Sequence, residues 1–265
     1  MARATAKPSS PPAGLADRLK EVRDRIAAAA VKARRDPAEV TLIAVTKSAG
    51  PEQIRELLSL GVADLGENRV QQLQQRAAQL NEFLSRRQKG GEADGMPARI
   101  RWHMIGHLQR NKVKALLPLV NVIHSVDSLR LAEEIDAAAA KLGRRQPVLM
   151  QLNASEEPQK SGVAVGAAVH LAEQIDSMPN LQIVGLMTMA EHTEEASVIQ
   201  RAFVRTREIF EELKWHKIGG AGLRHLSMGM SHDFELAIAE GATMVRIGTS
   251  LFGGKPDSAE DKDES

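Results

Sequence analysis

The amino-acid sequence predicts a (β/α)8 barrel, the TIM-barrel arrangement of eight parallel strands, preceded by an N-terminal helix. Eight short apolar runs alternate with longer segments of helical period. Several runs are apolar throughout, as the strands of a parallel sheet are when both faces are buried. The length of 265 residues suits one barrel domain. An open doubly wound sheet is the alternative, although no Gly-x-Gly-x-x-Gly pattern follows the first strand.

The predicted elements follow one another in a regular order. Residues 15–33 have the period of an amphipathic helix and precede the first strand. The predicted strands share short β-branched or apolar cores and cover residues 40–45, 62–66, 101–106, 121–126, 147–153, 181–189, 223–229 and 243–248. The helices between them cover residues 51–60, a segment starting near Glu67, and residues 111–119, 128–142, 165–177, 194–213 and 233–240.

Three segments do not have the pattern of strands or helices. Residues 1–14 predict a flexible leader, and the acidic residues 255–265 predict a disordered tail. Residues 15–254 then form one barrel domain. Residues 87–99 are polar and glycine-rich, and we expect a mobile loop on the side of the strands' N-termini.

Composition excludes several classes of function. The chain has no cysteine, which excludes disulfides, thiolate nucleophiles and cysteine-based zinc sites. Its 35 basic and 34 acidic residues give a net charge of +1, which does not favour nucleic-acid binding. The apolar runs are too short to span a membrane, and the leader lacks the apolar core of a signal peptide. We therefore expect a cytoplasmic protein that binds neither nucleic acid nor membranes.

Lys47 is the most informative residue among those that end the predicted strands. Active sites of such barrels lie at the carboxyl ends of the strands. A lysine that is desolvated there has a lowered pKa and can attack a carbonyl group. The alternative is a lysine whose stem packs on the barrel while its amine stays in water. Other strand-end candidates are Glu67, Asn68, His103, His107, Asp127, Asn153, Met187, Thr188, Ser227 and Arg246.

The turns after the last two predicted strands are rich in glycine and serine. Turns at these positions of a barrel commonly bind phosphate through backbone N–H groups and a helix N-terminus. Ser231 stands where the following helix is predicted to begin, so its hydroxyl either caps that helix or binds phosphate. Gly248 and Thr249 offer unhindered amides. The two turns together predict a phosphate site.

Two further motifs do not support metal binding or triad hydrolysis. His103 and His107 have the spacing of a zinc-binding helix, but Met104 stands where the glutamate is required. Ser231, His232 and Asp233 are consecutive, and neighbouring side chains cannot assemble a catalytic relay. We expect no metal site.

Motifs along most of the chain resemble one known family. They are AVTK, LGENRVQQ, RWHMIGHLQRNK, HSVDS, LNASEEPQKSGV, GLMTM and LSMGMSHDFELAIAEGATMVRIGTSLFGG, in this order between residues 40 and 254. The sequence resembles the pyridoxal-phosphate homeostasis proteins, the single-barrel relatives of alanine racemase. The resemblance implies a barrel that binds pyridoxal 5'-phosphate and maintains vitamin B6 homeostasis inside the cell.

The resemblance also implies a set of cofactor-binding residues. Lys47 resembles the lysine that forms the Schiff base, and Arg246 resembles the arginine that faces the pyridine nitrogen. The implied phosphate ligands are Ser231, Gly248 and Thr249, the implied ring contact is Asn68, and Ser227 and Met228 are implied to line the approach. The chain departs from the family pattern at residues 48–50, at Arg69 and in the insertion at residues 87–99.

Three functions remain open, of which a non-catalytic cofactor carrier is favoured. A pyridoxal-phosphate enzyme such as a racemase needs bases on both faces of the substrate's Cα. In racemase relatives the second base is a tyrosine, and this chain has none. Arg246 stays protonated and cannot give a proton to the pyridine nitrogen. The third function is a cofactor-free phosphate-sugar enzyme in which Lys47 binds the substrate. Besides pyridoxal phosphate, amino acids and recipient apo-enzymes are candidate partners.

Overall fold

The protein folds into the predicted (β/α)8 barrel. Its structure, a computed structural model, describes residues 14–157 and 161–253. The strands are β1 (Thr41–Val45), β2 (Asp64–Glu67), β3 (Arg101–Met104), β4 (Val122–Val126), β5 (Gln146–Asn153), β6 (Val163–Ala164), β7 (Leu181–Thr188), β8 (His225–Ser227) and β9 (Met244–Ile247). All except β6 form a parallel ring in the order β4-β3-β2-β1-β9-β8-β7-β5, closed by pairing of β4 with β5. Strand β6, which the sequence pattern did not predict, pairs with β5 alone.

Helices cover the outside of the ring. They are α1 (Leu15–Lys32), α2 (Pro51–Ser59), α3 (Val70–Lys89), α4 (Val113–Leu116), α5 (Leu129–Lys141), α6 (Ala168–Asp176), α7 (Ala196–Trp215), α8 (Phe234–Ala239) and α9 (Thr249–Phe252). The N-terminal helix α1 is confirmed: it buries one stripe of apolar residues and packs on α8 and α9. The Nε of Arg18 donates to the Leu251 carbonyl at 2.6 Å, and Arg25 pairs with Glu235. No described helix is long and apolar enough to cross a membrane.

The structure corrects the predicted boundaries around α3. The prediction began this helix near Glu67, but Glu67 is the last residue of β2 and pairs with Met104 of β3. The helix begins three residues later and continues through Lys89. The first residues of the glycine-rich segment are therefore helical, and the loop is confined to the residues between Lys89 and Arg101. This loop enters β3 from the N-terminal end, as expected.

The predicted termini lie largely outside the described residues. Of the predicted leader, residues 1–14, only Gly14 is described, and it precedes α1 as its N-cap. The acidic tail, residues 255–265, is not among the described residues. The assignment of residues 15–254 to one domain stays a prediction.

The interior of the barrel contains a set of polar side chains. His124 lies on β4 and Ser227 on β8, two strands that are not neighbours in the ring, yet their side chains are 2.9 Å apart. The contact therefore crosses the inside of the barrel. Arg246 of β9 reaches the same point and donates to the Ser227 hydroxyl at 2.7 Å. TIM-barrel interiors are usually filled by layers of branched apolar side chains, so this polar set needs a specific reason.

Candidate functional site

The predicted site residues lie on one arc of the barrel's carboxyl end. Lys47 comes two residues after β1, and Asn68 comes directly after β2. Ser231 lies in the turn after β8, and Gly248 follows β9 directly. The four strands are consecutive in the ring, in the order β8-β9-β1-β2. An amine, an amide side chain and the two turns proposed for phosphate are therefore brought together by strand order, although 184 positions separate Lys47 from Ser231.

Lys47 lies in a turn just beyond β1 and is partly buried. Two side chains of helix α3 hold the backbone of this turn. Arg76 donates to the carbonyl of Thr46 at 2.5 Å and to that of Ala49 at 3.0 Å. Gln72 donates to the carbonyl of Lys47 itself at 2.9 Å. Three of the four carbonyls of residues 46–49 are thus held by helix α3, which fixes the backbone position of Lys47.

The carboxylate of Glu67 helps to hold Arg76 against the Lys47 turn. It forms an ion pair with Arg76 and accepts a hydrogen bond from the hydroxyl of Thr46. Glu67 is completely buried, and burial raises the pKa of its carboxyl group although Arg76 and Thr46 act in the opposite direction. Glu67 was predicted from the sequence as a strand-end residue, whereas Gln72 and Arg76 were not predicted. Their spacing of four residues places both side chains on one face of the helix, but no pattern in the sequence indicates that this face meets the Lys47 turn.

Asn68 is held in place by the loop after β3. A Cβ atom added to Gly106 would lie only 2.3 Å from the carbonyl oxygen of Asn68, so only glycine fits at this position. The loop therefore lies directly on the backbone of Asn68. The side chain of Asn68 is partly exposed at the carboxyl end of the barrel, directly after the strand next to the one that precedes Lys47.

The Ser231 turn precedes α8, but the Ser231 side chain contacts the short helix α9 and does not cap α8. Helix α8 begins at Phe234, and the carboxylate of Asp233 accepts the N–H of Met230 at 2.5 Å. The hydroxyl of Ser231 instead accepts the N–H of Ser250, in the first turn of α9, at 3.3 Å. Ser231 therefore does not cap α8 and faces the other proposed phosphate turn, and its role as a phosphate ligand stays a prediction.

Gly229 makes this turn possible. Its φ is +94°, and an added Cβ would lie 2.7 Å from the Cβ of Ala237 and 2.8 Å from the Cα of Phe234. Both the left-handed backbone and the close approach of α8 require glycine here. On the other turn, Gly248 packs against the carbonyl of Val45, 3.2 Å from the position of an added Cβ. This contact ties the start of α9 to the end of β1.

The guanidinium of Arg246 is buried and is held by three hydrogen bonds. Its Nη1 donates to both the carbonyl and the hydroxyl of Ser227 at 2.7 Å, and its Nη2 donates to the carbonyl of Thr188 at 2.9 Å. Three of the five guanidinium N–H groups are thus used. The other two, on Nε and Nη2, donate to none of the described residues. Burial lowers the pKa of Arg246 to about 10, against the opposing effect of Asp233, so the side chain stays charged at neutral pH.

Ser227 and Met228, which were predicted to line the approach, are both buried but have different surroundings. Ser227 is the last residue of β8, is fully buried, and contacts Arg246 and His124. The side chain of Met228 is also fully buried but packs in the main hydrophobic core. The expectation that Met228 lines the approach to the cofactor stays a prediction.

These groups fit a phosphorylated pyridine aldehyde. Lys47 would supply the amine for the aldehyde, and the Ser231 hydroxyl with the amides of Gly248 and Thr249 would hold the phosphate. One of the two remaining N–H groups of Arg246 would donate to the lone pair of a pyridine nitrogen. Each chemical feature of such a ligand has a counterpart on the arc.

Comparison with known proteins agrees with this chemistry. Residues 16–256 match the family model for the alanine racemase N-terminal domain. The chain is 40% identical over 237 residues to the pyridoxal phosphate homeostasis protein of Aquifex aeolicus, covering 89% of this chain and 96% of that protein. It is 38% identical over 241 residues to the protein of the same name from Pseudomonas aeruginosa, covering 91% and 96%.

A solved structure extends the similarity to the fold. PipY of Synechococcus elongatus, with pyridoxal phosphate bound, superposes with a TM-score of 0.75 at 34% identity. The match covers 90% of this chain and 100% of PipY. The chain therefore belongs to the pyridoxal phosphate homeostasis proteins, which share the barrel of the alanine racemase N-terminal domain.

Proposed function

We propose that this protein binds pyridoxal 5'-phosphate as a Schiff base on Lys47 and maintains vitamin B6 homeostasis in the cytoplasm without catalysis. The observation that carries the proposal is the convergence of Lys47, the Ser231 turn and Arg246 on one arc of the barrel. The names of the relatives and the ligand of PipY support it.

Each residue of the arc has a distinct role in the proposal. Lys47 supplies the amine that binds the aldehyde, from a turn that helix α3 holds in place. Ser231, Gly248 and Thr249 bind the phosphate, Asn68 contacts the ring, and Arg246 donates to the pyridine nitrogen. When bound, the cofactor supplies an aldehyde that condenses with amines and a ring that can accept electrons.

Arg246 also supports a non-catalytic role. A guanidinium donates a hydrogen bond to the pyridine nitrogen but does not transfer its proton at physiological pH. The nitrogen then stays neutral, which weakens the ring as an electron acceptor. Three hydrogen bonds to Ser227 and Thr188 hold the Arg246 guanidinium in place. Amino acids and recipient apo-enzymes are the partners that the proposal implies.

Isotope exchange tests the carrier proposal against a racemase. The purified protein should show the absorbance of a Schiff base, and added L-amino acids should shift this absorbance or release cofactor. In deuterated water, L-alanine should gain no deuterium at Cα at an enzyme-like rate, because a neutral ring nitrogen weakens the ring as an acceptor of the carbanion's electrons. D-alanine should not form either, since one amine provides a base on one face of the substrate only. Transfer of cofactor to an apo-enzyme faster than from free solution would support the carrier directly. Rapid deuterium uptake that disappears in Lys47→Ala would refute the non-catalytic role.

Ser231→Ala should weaken the binding of pyridoxal phosphate about tenfold or more. A hydrogen bond to a charged group contributes about 1.5–3 kcal/mol, and the substitution removes one from the phosphate. Binding of unphosphorylated pyridoxal should hardly change, so the preference for the phosphorylated form should fall. Equilibrium titrations with both ligands measure this, and Ser48→Ala, an exposed serine beside Lys47, is the control. Unchanged affinity for both ligands would place the phosphate elsewhere.

A further inference from the structure

A continuous chain of hydrogen-bonded side chains runs through the barrel interior and ends on Arg246. The carboxylate of Asp64 is 3.0 Å from Nε2 of His103, and Nδ1 of His103 is 2.9 Å from Nε2 of His124. Nδ1 of His124 is 2.9 Å from the hydroxyl of Ser227, which is 2.7 Å from Nη1 of Arg246. This series of hydrogen bonds starts at Asp64, the first residue of β2, and reaches the carboxyl end of the barrel at Ser227, the last residue of β8. The proposed cofactor site lies at that end.

The side chains of this hydrogen-bonded series are buried, and the charged or titratable groups near them are Arg101 and His225. His124 and Ser227 have no exposed surface, and Asp64 is 7% exposed. At its far end Asp64 pairs with Arg101, which is half exposed. Burial holds the pKa of His124 well below its ordinary value, with further lowering by nearby His103, Arg246 and His225. Burial alone would raise the pKa of Asp64, but His103 and Arg101 together lower it.

The order of donors and acceptors along this series depends on the tautomers of the two histidine rings, which we assign from the Asp64 end. An ionised Asp64 only accepts, so Nε2 of His103 carries the proton that it donates. With both rings neutral, Nδ1 of His103 then accepts from Nε2 of His124, and Nδ1 of His124 accepts from the hydroxyl of Ser227. The lone pairs of that hydroxyl remain free to accept from Arg246. One arrangement of protons thus satisfies every member, and the ring nitrogens that face each other at 2.9 Å leave no space for an ion between them.

We propose that His124 and His103 are positioning residues that act through Ser227 to hold the Arg246 guanidinium toward the ring nitrogen of the cofactor. The inference rests on the proposed function. Nδ1 of His124 accepts the hydrogen bond of the Ser227 hydroxyl, so the lone pairs of the Ser227 oxygen face Arg246. This keeps Nη1 turned inward and leaves the remaining N–H groups on Nε and Nη2 for a ligand. Buried polar groups destabilise a core unless they form hydrogen bonds. Here the hydrogen bonds of Asp64, His103, His124 and Ser227 lead to the guanidinium of Arg246.

Binding of two ligands separates positioning from general stability. The probes are pyridoxal phosphate and its analogue in which C–H replaces the ring nitrogen. Wild-type protein should bind the analogue about tenfold or more weakly, because an N–H of Arg246 loses its acceptor. In His124→Leu this ratio should fall to about threefold or less. A purely structural role for His124 would weaken both ligands equally and leave the ratio unchanged.

Matched variants make the test specific. His124→Asn places an amide oxygen near the position of Nδ1, so it should restore the wild-type ratio. His225→Leu removes a neighbouring histidine whose one described side-chain partner is Thr243, so it should keep the ratio. Ser227→Ala breaks the same chain with a smaller change in volume and should lower the ratio even if His124→Leu does not fold.

The outcomes distinguish the inference from the function on which it rests. If wild-type protein does not bind pyridoxal phosphate, the proposed function is wrong and the inference falls with it. If wild-type protein binds both ligands equally, Arg246 does not act on the ring nitrogen, and the inference is wrong together with the role proposed for Arg246, while cofactor binding through Lys47 and Ser231 stands. If wild-type protein discriminates and both His124→Leu and Ser227→Ala keep the full ratio, the positioning role is refuted while the cofactor site stands.

Discussion

Lys47→Ala is expected to abolish covalent attachment of pyridoxal phosphate. The turn after β1 is held by Arg76 and Gln72, so the amine of Lys47 starts from a fixed backbone beside the proposed phosphate turns. Borohydride reduction of the wild-type complex should place the pyridoxyl mass on the Lys47 peptide. The variant should show no such adduct and no Schiff-base absorbance, while phosphate contacts retain part of the non-covalent affinity.

Lys112→Ala is the matched control for this experiment. Lys112 lies in the segment after β3, at the same end of the barrel, but outside the arc formed by β8, β9, β1 and β2. This variant should be labelled on Lys47 like the wild type. A pyridoxyl mass on another lysine of the wild-type protein, with Lys47 unmodified, would contradict the assignment.

Arg246→Met should reduce both stability and cofactor affinity. The substitution leaves the carbonyls of Ser227 and Thr188 and the Ser227 hydroxyl without their buried donor. Each buried acceptor left without a partner costs about 1–3 kcal/mol, and the relief of a buried charge offsets part of this loss. We expect the free energy of unfolding of the apoprotein, measured by urea titration, to fall by about 3 kcal/mol.

The same variant should also lose the discrimination between pyridoxal phosphate and the analogue without a ring nitrogen. Affinity for pyridoxal phosphate should fall about tenfold or more, because a hydrogen bond from a charged donor is lost. Lys20→Met, which removes an exposed ion pair with Asp24, is the control and should change neither property. Wild-type stability together with wild-type affinity in Arg246→Met would show that Arg246 neither supports the barrel nor contacts the ligand.

Much of the architecture could be predicted from the sequence because it depends on local patterns. The alternation of apolar runs with helical segments identified all eight barrel strands, and the fixed handedness of strand-helix-strand units leaves few ways to connect them. Lys47 and Arg246 were predicted as strand-end candidates for the same reason, since barrels present their sites at the carboxyl ends of strands. Boundaries were less accurate, as at Glu67, where pairing with β3 extends β2.

The tertiary structure decided which residues meet. No local pattern indicated that Gln72 and Arg76 contact the Lys47 turn, because their inward direction depends on how α3 packs on the ring. Nor did any pattern connect His124 of β4 with Ser227 of β8, 103 residues apart, across the closed barrel. The sequence alone determined the fold class and the residues at the strand ends, because both follow from periodicity along the chain. Their partners depend on ring closure, since only closure brings non-neighbouring strands within hydrogen-bond distance.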